Sequence, residues 1–321
     1  MSMETVIECL NLRRIFVSRT LAGKKREVVA LNGTNFAVPR GIIFGLLGPN
    51  AAGKTTTIRI FTTLLTPSSG QARVMGFDVV KDASKVRRQI GLILGGERGL
   101  YGRLTGEENM KYFAAINHLS RETAKKRIKE LIGMVGLDMA GDRPVEQYSR
   151  GMRQRLHVAR GLLTDPEILF MDEPTIGLDP EGARELRSLI PELARQGKTI
   201  LLTTHYMFEA DELCEQIAII NKGEIVASGT PSEIKRKFSK VAVLEVILRQ
   251  SRADPAQELS HIQDIERITV TSDGPIQKLT IHVMPGTEIK EEVTRILGQS
   301  NIESLVMRDP TLEEAYLSIL K

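Results

Sequence analysis

Cysteine is scarce in this sequence, and tryptophan is absent. The 321 residues contain only two cysteines, Cys9 and Cys214, which lie far apart and lack metal-ligand spacing. This usage excludes a disulfide framework and a cysteine-based zinc site, and it fits a reducing cytosol. We predict that both cysteines are packing residues.

Long apolar runs are also missing. The longest ones, such as residues 42–47, fall far below the roughly 20 residues that span a bilayer. The N-terminus has no hydrophobic segment of the signal-peptide kind. Any link to a membrane is therefore expected to come through a partner.

Neither sign of charge dominates the chain. It carries 44 basic and 40 acidic residues, a net charge of +4 and a pI of about 9.0. Because the two signs nearly balance, charge is weak evidence for an anionic lipid or nucleic-acid partner. We expect no nucleic-acid partner.

The order of apolar patterns predicts two domains. Strand-like runs open the chain, helix dominates about residues 97–163, and strands then alternate with helices, which predicts a mostly parallel, buried sheet. A new β and α pattern begins after a predicted helix at residues 231–240. We therefore predict a main domain at residues 1–238 and a small α+β domain at residues 239–321.

Residues 48–55 match the phosphate-loop pattern G-x-x-x-x-G-K-[ST]. An apolar strand precedes them and a predicted helix, residues 54–65, follows, which is the context this loop requires. Backbone N–H groups hold phosphate oxygens, Lys54 neutralises the β- and γ-phosphates, and the Thr55 hydroxyl ligates Mg²⁺. The predicted ATP-binding residues of the loop are Gly48, Pro49, Asn50, Ala51, Ala52, Gly53, Lys54, Thr55 and Thr56.

A second candidate element is the apolar run at residues 168–173, which ends in two carboxylates, Asp172 and Glu173. Proteins with a phosphate loop place their Mg²⁺-binding aspartate at such a strand end, and we assign Asp172 to that role. Glu173 is placed to polarise the attacking water as a general base. Asp-Glu pairs after strands are common on surfaces, and the upstream loop is what favours function here.

Together these segments resemble the ATPase subunits of ABC transporters over about residues 4–235. The family signature matches residues 148–152, YSRGM. The resemblance implies an α/β P-loop NTPase fold with a mixed sheet, an N-terminal antiparallel β region and a helical subdomain. Ser149 caps a helix whose N-terminus points at phosphate, and Gly151 allows close approach. The family's dimer implies that Ser149, Arg150, Gly151 and Met152 face the ATP held by the other subunit.

Three further positions match the family. Asp179, in the run at residues 177–179, resembles the loop that contacts the opposite subunit. His205 follows a Thr-Thr strand end and resembles the histidine that senses the γ-phosphate. Phe16 resembles the aromatic residue that stacks on adenine, with Phe36, or a core role for Phe16, as the alternatives.

The sequence departs from the family pattern at two places. Ala51 stands where the family has glycine, and because alanine disfavours positive φ, a modest local change in the loop is expected. The coupling-loop glutamine is missing near residues 90–97. One hypothesis is that Glu97 takes part of its role, and the other is that Glu97 pairs with Arg98 or Arg103 on the surface.

The resemblance also implies a function. Residues 149–155, 174–180 and 310–317 resemble exporters of the drug, polysaccharide and sodium type. Such a subunit lies on the cytoplasmic face of the cell membrane, where two copies close head to tail over two ATP–Mg²⁺. Hydrolysis then reopens the homodimer and drives a separate integral membrane permease.

The sequence disfavours two other classes of function, a non-transport ABC ATPase and a regulatory ATP-binding protein. Related translation factors carry two ATPase cassettes in one chain and related DNA-repair proteins insert long coiled coils, and neither feature is found here. A regulatory protein that binds ATP without turnover is disfavoured because Glu173 and His205 are both present.

Overall fold

The protein was analysed in a computed structural model that describes residues 4–19, 25–95, 99–140, 143–238, 242–249, 254–274, 276–284 and 289–320. The chain folds into two compact units, one ending at Pro231 and one beginning at Ser232. The sequence places the boundary after residue 238, so the two differ by the length of the helix Pro231–Phe238. The predicted domain boundary stays a prediction.

The strands of the first unit are β1 (Thr5–Arg19), β2 (Lys25–Pro39), β3 (Ile43–Leu47), β4 (Ser69–Val74), β5 (Phe77–Asp78), β6 (Ile90–Leu94), β7 (Ile168–Asp172), β8 (Thr199–Thr204), β9 (Gln216–Asn221) and β10 (Glu224–Gly229). Its helices are α1 (Lys54–Phe61), α2 (Ala83–Gln89), α3 (Gly106–Ile116), α4 (Arg121–Met134), α5 (Arg150–Gly161), α6 (Pro180–Arg195) and α7 (Met207–Leu213). Helix α8 (Pro231–Phe238) follows at the division between the units.

These strands form two sheets. An antiparallel sheet has the order β2-β1-β4-β5, and a six-stranded sheet has the order β10-β9-β3-β8-β7-β6. In the larger sheet β10 is antiparallel to β9, whereas β9, β3, β8, β7 and β6 run parallel to one another. Every residue of β3 is buried, as expected for a strand covered on both faces. The predicted mixed sheet and N-terminal antiparallel region are confirmed.

Helix α1 packs into a core that is shared by the two sheets. The ring of Phe61 lies 5.7 Å from that of Phe36 in β2 and 6.0 Å from that of Phe170 in β7. Ile58 and Ile60 of the same helix are fully buried in this core. The apolar packing therefore fixes α1, and with it the loop that precedes α1, against the ends of β3 and β7.

Helix α1 ends four residues before the predicted limit at Leu65. Thr63 adopts a left-handed conformation with φ of +63°. The N–H groups of Leu64 and Leu65 both bond to the carbonyl oxygen of Arg59, at 2.8 and 3.0 Å. A left-handed residue of this kind terminates a helix, so the apolar pattern overestimated its length.

Helices α3, α4 and α5 lie inside the predicted helical segment. Thr105 and Glu108 form the predicted capping box of α3, with reciprocal bonds between side chain and backbone. Ser120 and Ser149 cap the next two helices by accepting a hydrogen bond from a first-turn N–H. The caps explain why each helix begins where it does.

The second unit contains β11 (Ala242–Leu248), α9 (Pro255–Leu259), β12 (Ile265–Asp273), β13 (Ile276–Val283), α10 (Lys290–Leu297), β14 (Ile302–Arg308) and α11 (Leu312–Ile319). Its antiparallel sheet has the order β12-β13-β11-β14, and α9 and α10 share its apolar core. Arg308 bonds to Glu245 at 2.8 Å and to Glu314, in the first turn of α11, at 3.0 Å. This is the small α+β unit that the sequence predicted.

Candidate functional site

The phosphate loop between β3 and α1 has no room for side chains at two glycines. A Cβ on Gly48 would lie 2.2 Å from the carbonyl oxygen of Ile220, and one on Gly53 would lie 2.7 Å from that of Ala30. Ala51 adopts a left-handed φ of +63°, which costs about 1–2 kcal/mol for a residue with a Cβ. The departure from glycine therefore leaves a locally strained residue in the loop.

The N-terminus of α1 is suited to an anion. Its N-cap, Gly53, offers no side-chain acceptor, and the first turn contains no acidic residue. The N–H groups of a first turn carry partial positive charge and need acceptors from outside the helix. A phosphate group supplies such acceptors.

Lys54 is the first residue of α1 and is only 4% exposed. Its Nζ donates to the carbonyl oxygens of Gly48 at 2.6 Å and Pro49 at 3.1 Å. The same atom lies 3.3 Å from Oε1 of Glu173. These acceptors offset the cost of burying the ammonium group and place a cation at the loop.

Asp172 lies at the carboxyl end of β7, next to Thr55 of α1. Its Oδ1 accepts hydrogen bonds from Oγ1 of Thr55 at 3.2 Å and from Oγ1 of Thr203 at 2.6 Å. The two residues predicted to bind the metal are thus brought together, although 117 positions separate them in the chain.

Glu173 follows Asp172 in a left-handed turn with φ of +46°. Its Oε2 lies 3.1 Å from Nδ1 of His205, and its Oε1 faces Lys54. The two predicted catalytic residues therefore contact each other beside the loop lysine. A carboxylate held in this way can accept a proton from a water molecule.

A cavity of about 270 Å³ opens beside the loop. Phe16 lines it together with Pro49, Asn50, Ala51, Gly53, Lys54, Thr55, Thr56 and Glu173. The Phe16 ring is 39% exposed and carries the Arg14 guanidinium 4.7 Å from its centroid. Phe36 instead stacks on Phe44 at 5.6 Å in the core, which leaves Phe16 as the aromatic residue placed for a base.

The signature residues lie elsewhere in the unit. Ser149 is exposed and caps α5 by accepting a bond from the Met152 N–H at 3.1 Å. Arg150 donates to the carbonyl oxygen of Gly177 at 3.4 Å, and exposed Asp179 precedes α6. Within the described part of the chain, the residues around the cavity do not include residues 149–152 or Asp179.

Comparison with known proteins decides the family. Residues 31–176 match the family model of ABC transporters. A daunorubicin resistance ATP-binding protein of Streptomyces coeruleorubidus, DrrA3, is 40% identical over 293 residues, which cover 90% of this chain and 90% of that protein. The daunorubicin/doxorubicin resistance ATP-binding protein DrrA of Streptomyces peucetius is 42% identical over 294 residues, which cover 90% of this chain and 87% of that protein.

The chain belongs to the ABC transporter family. Among solved structures, a dimeric bacterial ABC transporter cassette is 25% identical, covers 70% of this chain and 98% of its own, and superposes with a TM-score of 0.62. The predicted family, fold and enzyme class are confirmed: this is an ATP-binding, ATP-hydrolysing subunit of an ABC transporter. None of its helices in the described ranges combines the length and apolar character needed to span a bilayer.

Sequence reasoning missed several residues at the site of this ABC ATPase: Val28, Val29 and Ala30, which line the cavity, and Thr203, which contacts the residues at the end of β7. Thr203 is fully buried. Its hydroxyl bonds to the side chain of Asp172 and to the backbone N–H of Glu173. The sequence predicts that Thr203 lies at the end of an apolar strand, but it does not predict the contacts of Thr203 with Asp172 and Glu173. They depend on the parallel register that sets Asp172 of β7 opposite Thr203 of β8.

The oxygen atoms at this edge suit Mg²⁺. Thr55 and Asp172 offer one hydroxyl and one carboxylate, which are hard oxygen ligands. In the part of the chain that the structure describes, no group of three or more His, Cys, Asp or Glu side chains could hold a metal alone. This composition fits Mg²⁺, which is bound through one or two carboxylates together with substrate phosphates and water.

Glu97, the predicted replacement for the coupling-loop glutamine, lies outside the described residues together with Gly96 and Arg98. Gly95, which precedes them, is described, and its N–H donates to the carbonyl oxygen of Asp172 at 2.8 Å. Both hypotheses for Glu97 stay predictions.

Proposed function

We propose that this ATPase drives the export of planar aromatic drugs of the anthracycline class through a separate integral membrane permease, at the cytoplasmic face of the cell membrane. The relatives whose names carry daunorubicin or doxorubicin resistance match 90% of this chain. The observation that carries the catalytic part is the contact of Glu173 with both Lys54 and His205 beside the phosphate loop.

Hydrolysis begins with release of Glu173 from its lysine. The phosphates of ATP compete for Lys54, because they carry more negative charge than one carboxylate. Oε1 of Glu173 then becomes available to accept a proton from the attacking water, while His205 holds the other oxygen. Phe16 stacks on the adenine ring, with Arg14 against the same aromatic side chain.

Thr55 and Asp172 hold the metal in this proposal. A Mg²⁺ ion held by these two residues would supply neutralisation of charge on the phosphate oxygens, which would lower the barrier to phosphoryl transfer. The Thr55 hydroxyl and the Asp172 carboxylate already lie within hydrogen-bond distance of each other.

Two copies of the chain complete each other's sites. The N-terminus of α5 is exposed at Ser149, and it contributes nothing to the cavity beside its own phosphate loop in the described residues. A second copy supplies Ser149, Gly151 and Asp179 to that cavity, so that the helix N-terminus meets the γ-phosphate. The dimeric state of a related cassette supports this arrangement.

The permease docks on the helical segment. The rings of Tyr101 and Tyr112 meet edge to face there, with their centroids 4.7 Å apart. They are 47% and 40% exposed, and Ile116 of α3 is 53% exposed. Exposed aromatic side chains are enriched in protein interfaces. The last residue of β6, Leu94, pairs with Asp172, and the helical segment follows β6 in the chain. The movement that closes the dimer over ATP is therefore transmitted through this segment to the permease.

An export assay tests the proposal. Cells from which the gene has been deleted are expected to accumulate doxorubicin, measured by its fluorescence, and the wild-type gene is expected to restore efflux. Glu173→Gln should not restore it, because the amide cannot accept the proton. Glu167→Gln is the matched control: it makes the same change in an exposed residue just before β7 that pairs with Arg40, and it should export normally. Equal doxorubicin levels with and without the gene would contradict an anthracycline exporter.

A further inference from the structure

Thr203 occupies an unusual place among the threonines of β8. It is fully buried, and in the parallel pairing of β7 and β8 it lies directly opposite Asp172. Its neighbour Thr204 projects to the other face of the sheet and donates to Glu209 at 2.9 Å. Of these two threonines, only Thr203 therefore contacts Asp172 and Glu173.

The first bond of Thr203 orients Asp172. The Thr203 hydroxyl donates to Oδ1 of Asp172 at 2.6 Å, which is shorter than the 3.2 Å from the same oxygen to Thr55. A buried donor at this distance restricts rotation of the carboxylate. The orientation that Asp172 presents to Thr55 is thus set by a group from a neighbouring strand.

The second bond of Thr203 supports the turn at Glu173. The Glu173 N–H donates to Oγ1 of Thr203 at 3.0 Å and also to its carbonyl oxygen at 3.1 Å. Glu173 has a left-handed φ of +46°, which a residue with a Cβ adopts at a cost in free energy. The two acceptors on Thr203 hold this backbone in place, and the backbone in turn directs the Glu173 carboxylate toward Lys54 and His205.

We propose that the Thr203 hydroxyl is a positioning residue shared by the metal site and the general base. The hydroxyl donates to the Asp172 carboxylate and accepts from the Glu173 N–H, so a single group fixes the position of Asp172 relative to Glu173. The proposal rests on the roles assigned above to Asp172 and Glu173. It predicts that loss of one hydroxyl weakens metal binding and hydrolysis together.

The test replaces the hydroxyl without changing the volume. Thr203→Val removes the two hydrogen bonds of the hydroxyl, to Asp172 and to the Glu173 N–H. Thr203→Ser keeps both bonds and removes only the methyl group. Thr199→Val is the matched control, because Thr199 is buried in the same strand and its hydroxyl accepts a bond from the Gly41 N–H, away from the site. Thr203→Ala provides a second way of losing the hydroxyl if the valine variant fails to fold.

Two measurements are made on each variant of the full chain. Mn²⁺ affinity in the presence of a non-hydrolysable ATP analogue is followed by electron paramagnetic resonance, and kcat and KM for ATP are measured at saturating Mg²⁺. Thr203→Val is expected to lose about tenfold in Mn²⁺ affinity and about tenfold in kcat, as found when residues that orient metal ligands are changed. Thr203→Ser and Thr199→Val are expected to match the wild type in both.

Wild-type values in Thr203→Val, or a loss confined to one of the two measurements, would overturn the shared role. Failure of this proposal is distinguishable from failure of the underlying assignments. If Glu173→Gln and Asp172→Asn remain fully active, the assigned roles are wrong. If those two variants are inactive while Thr203→Val is unaffected, only the role of Thr203 is wrong.

Discussion

The Glu173 carboxylate is engaged on both of its oxygens, by Lys54 at 3.3 Å and by His205 at 3.1 Å. These two partners fix the orientation of the Glu173 carboxylate before ATP binds, and in the proposed mechanism His205 keeps holding Oε2 after Lys54 turns to the phosphates. The same arrangement places Glu173, the proposed proton acceptor, next to Lys54, the cation proposed to neutralise phosphate. If these roles are right, ATP binding depends on Lys54 and proton transfer depends on Glu173, so mutation can separate the two.

Glu173→Gln is expected to abolish steady-state hydrolysis and to preserve ATP binding. The amide keeps the size of the side chain but cannot accept a proton, while Lys54 and Asp172 still hold the nucleotide and metal. The variant should accumulate as an ATP-bound dimer, which light scattering during size-exclusion chromatography detects. Phosphate release at the wild-type rate would remove Glu173 from the mechanism.

At the scale of elements, α5 has two ends with different environments. Its start is exposed at the N-cap Ser149 and at Arg150, whereas its second half is mostly buried, including His157. Neither ring nitrogen of His157 has a hydrogen-bond partner in the described structure. Burial, together with the nearby Arg160 cation, lowers the pKa of His157 to about 4.

His157 is expected to make the first unit less stable in acid. Its folded pKa lies below the unfolded value of 6.5, so the unfolded chain binds the proton first. The contribution is therefore fully present above about pH 6.5 and is lost as the pH falls toward 4. Between pH 7 and 5 the free energy of unfolding should drop by roughly 2 kcal/mol from this residue.

Urea unfolding at pH 7 and pH 5 tests this prediction. His157→Leu should remove most of the pH-dependent loss, because an apolar side chain of similar size leaves no buried polar atom. His261→Leu, the same change at an exposed histidine, should retain the wild-type dependence. An identical loss in the wild type and His157→Leu would place the acid sensitivity elsewhere.

At the scale of the whole molecule, exposed Ser149 at the start of α5 does not line the cavity beside the phosphate loop of the same chain. If two copies combine them, a Lys54→Ala subunit and a Ser149→Ala subunit form a heterodimer with one doubly damaged site and one intact site. Mixtures should therefore hydrolyse more ATP than either variant alone. Strictly additive rates, with heterodimers confirmed by mass spectrometry, would show that each subunit works by itself.

The small C-terminal unit carries no phosphate motif, and we propose that it regulates or supports the dimer. It has its own apolar core and its own polar network around Arg308. The carboxyl groups of Glu245 and Glu314 accept bonds from this guanidinium, which lowers the pKa of Glu245. These contacts are internal to the unit.

Much of the fold could be predicted because its signals are local. A buried strand, a glycine-rich turn and a helix start occupy neighbouring positions at residues 42–61, and the capping boxes of α3 and α11 each span four residues. The predicted end of a helix was less accurate where a left-handed residue terminates it, as Thr63 does after α1.

The sequence by itself determined the phosphate loop, the carboxylates after β7 and the family, because each depends on residues that are adjacent in the chain. The tertiary structure decided which distant groups meet. It placed Phe16 at the cavity and Phe36 in the core, and it joined Thr203 to Asp172 at 2.6 Å. The physical reason is that strand order and register, set by packing of the whole unit, bring together residues about 30 positions apart that no local pattern connects.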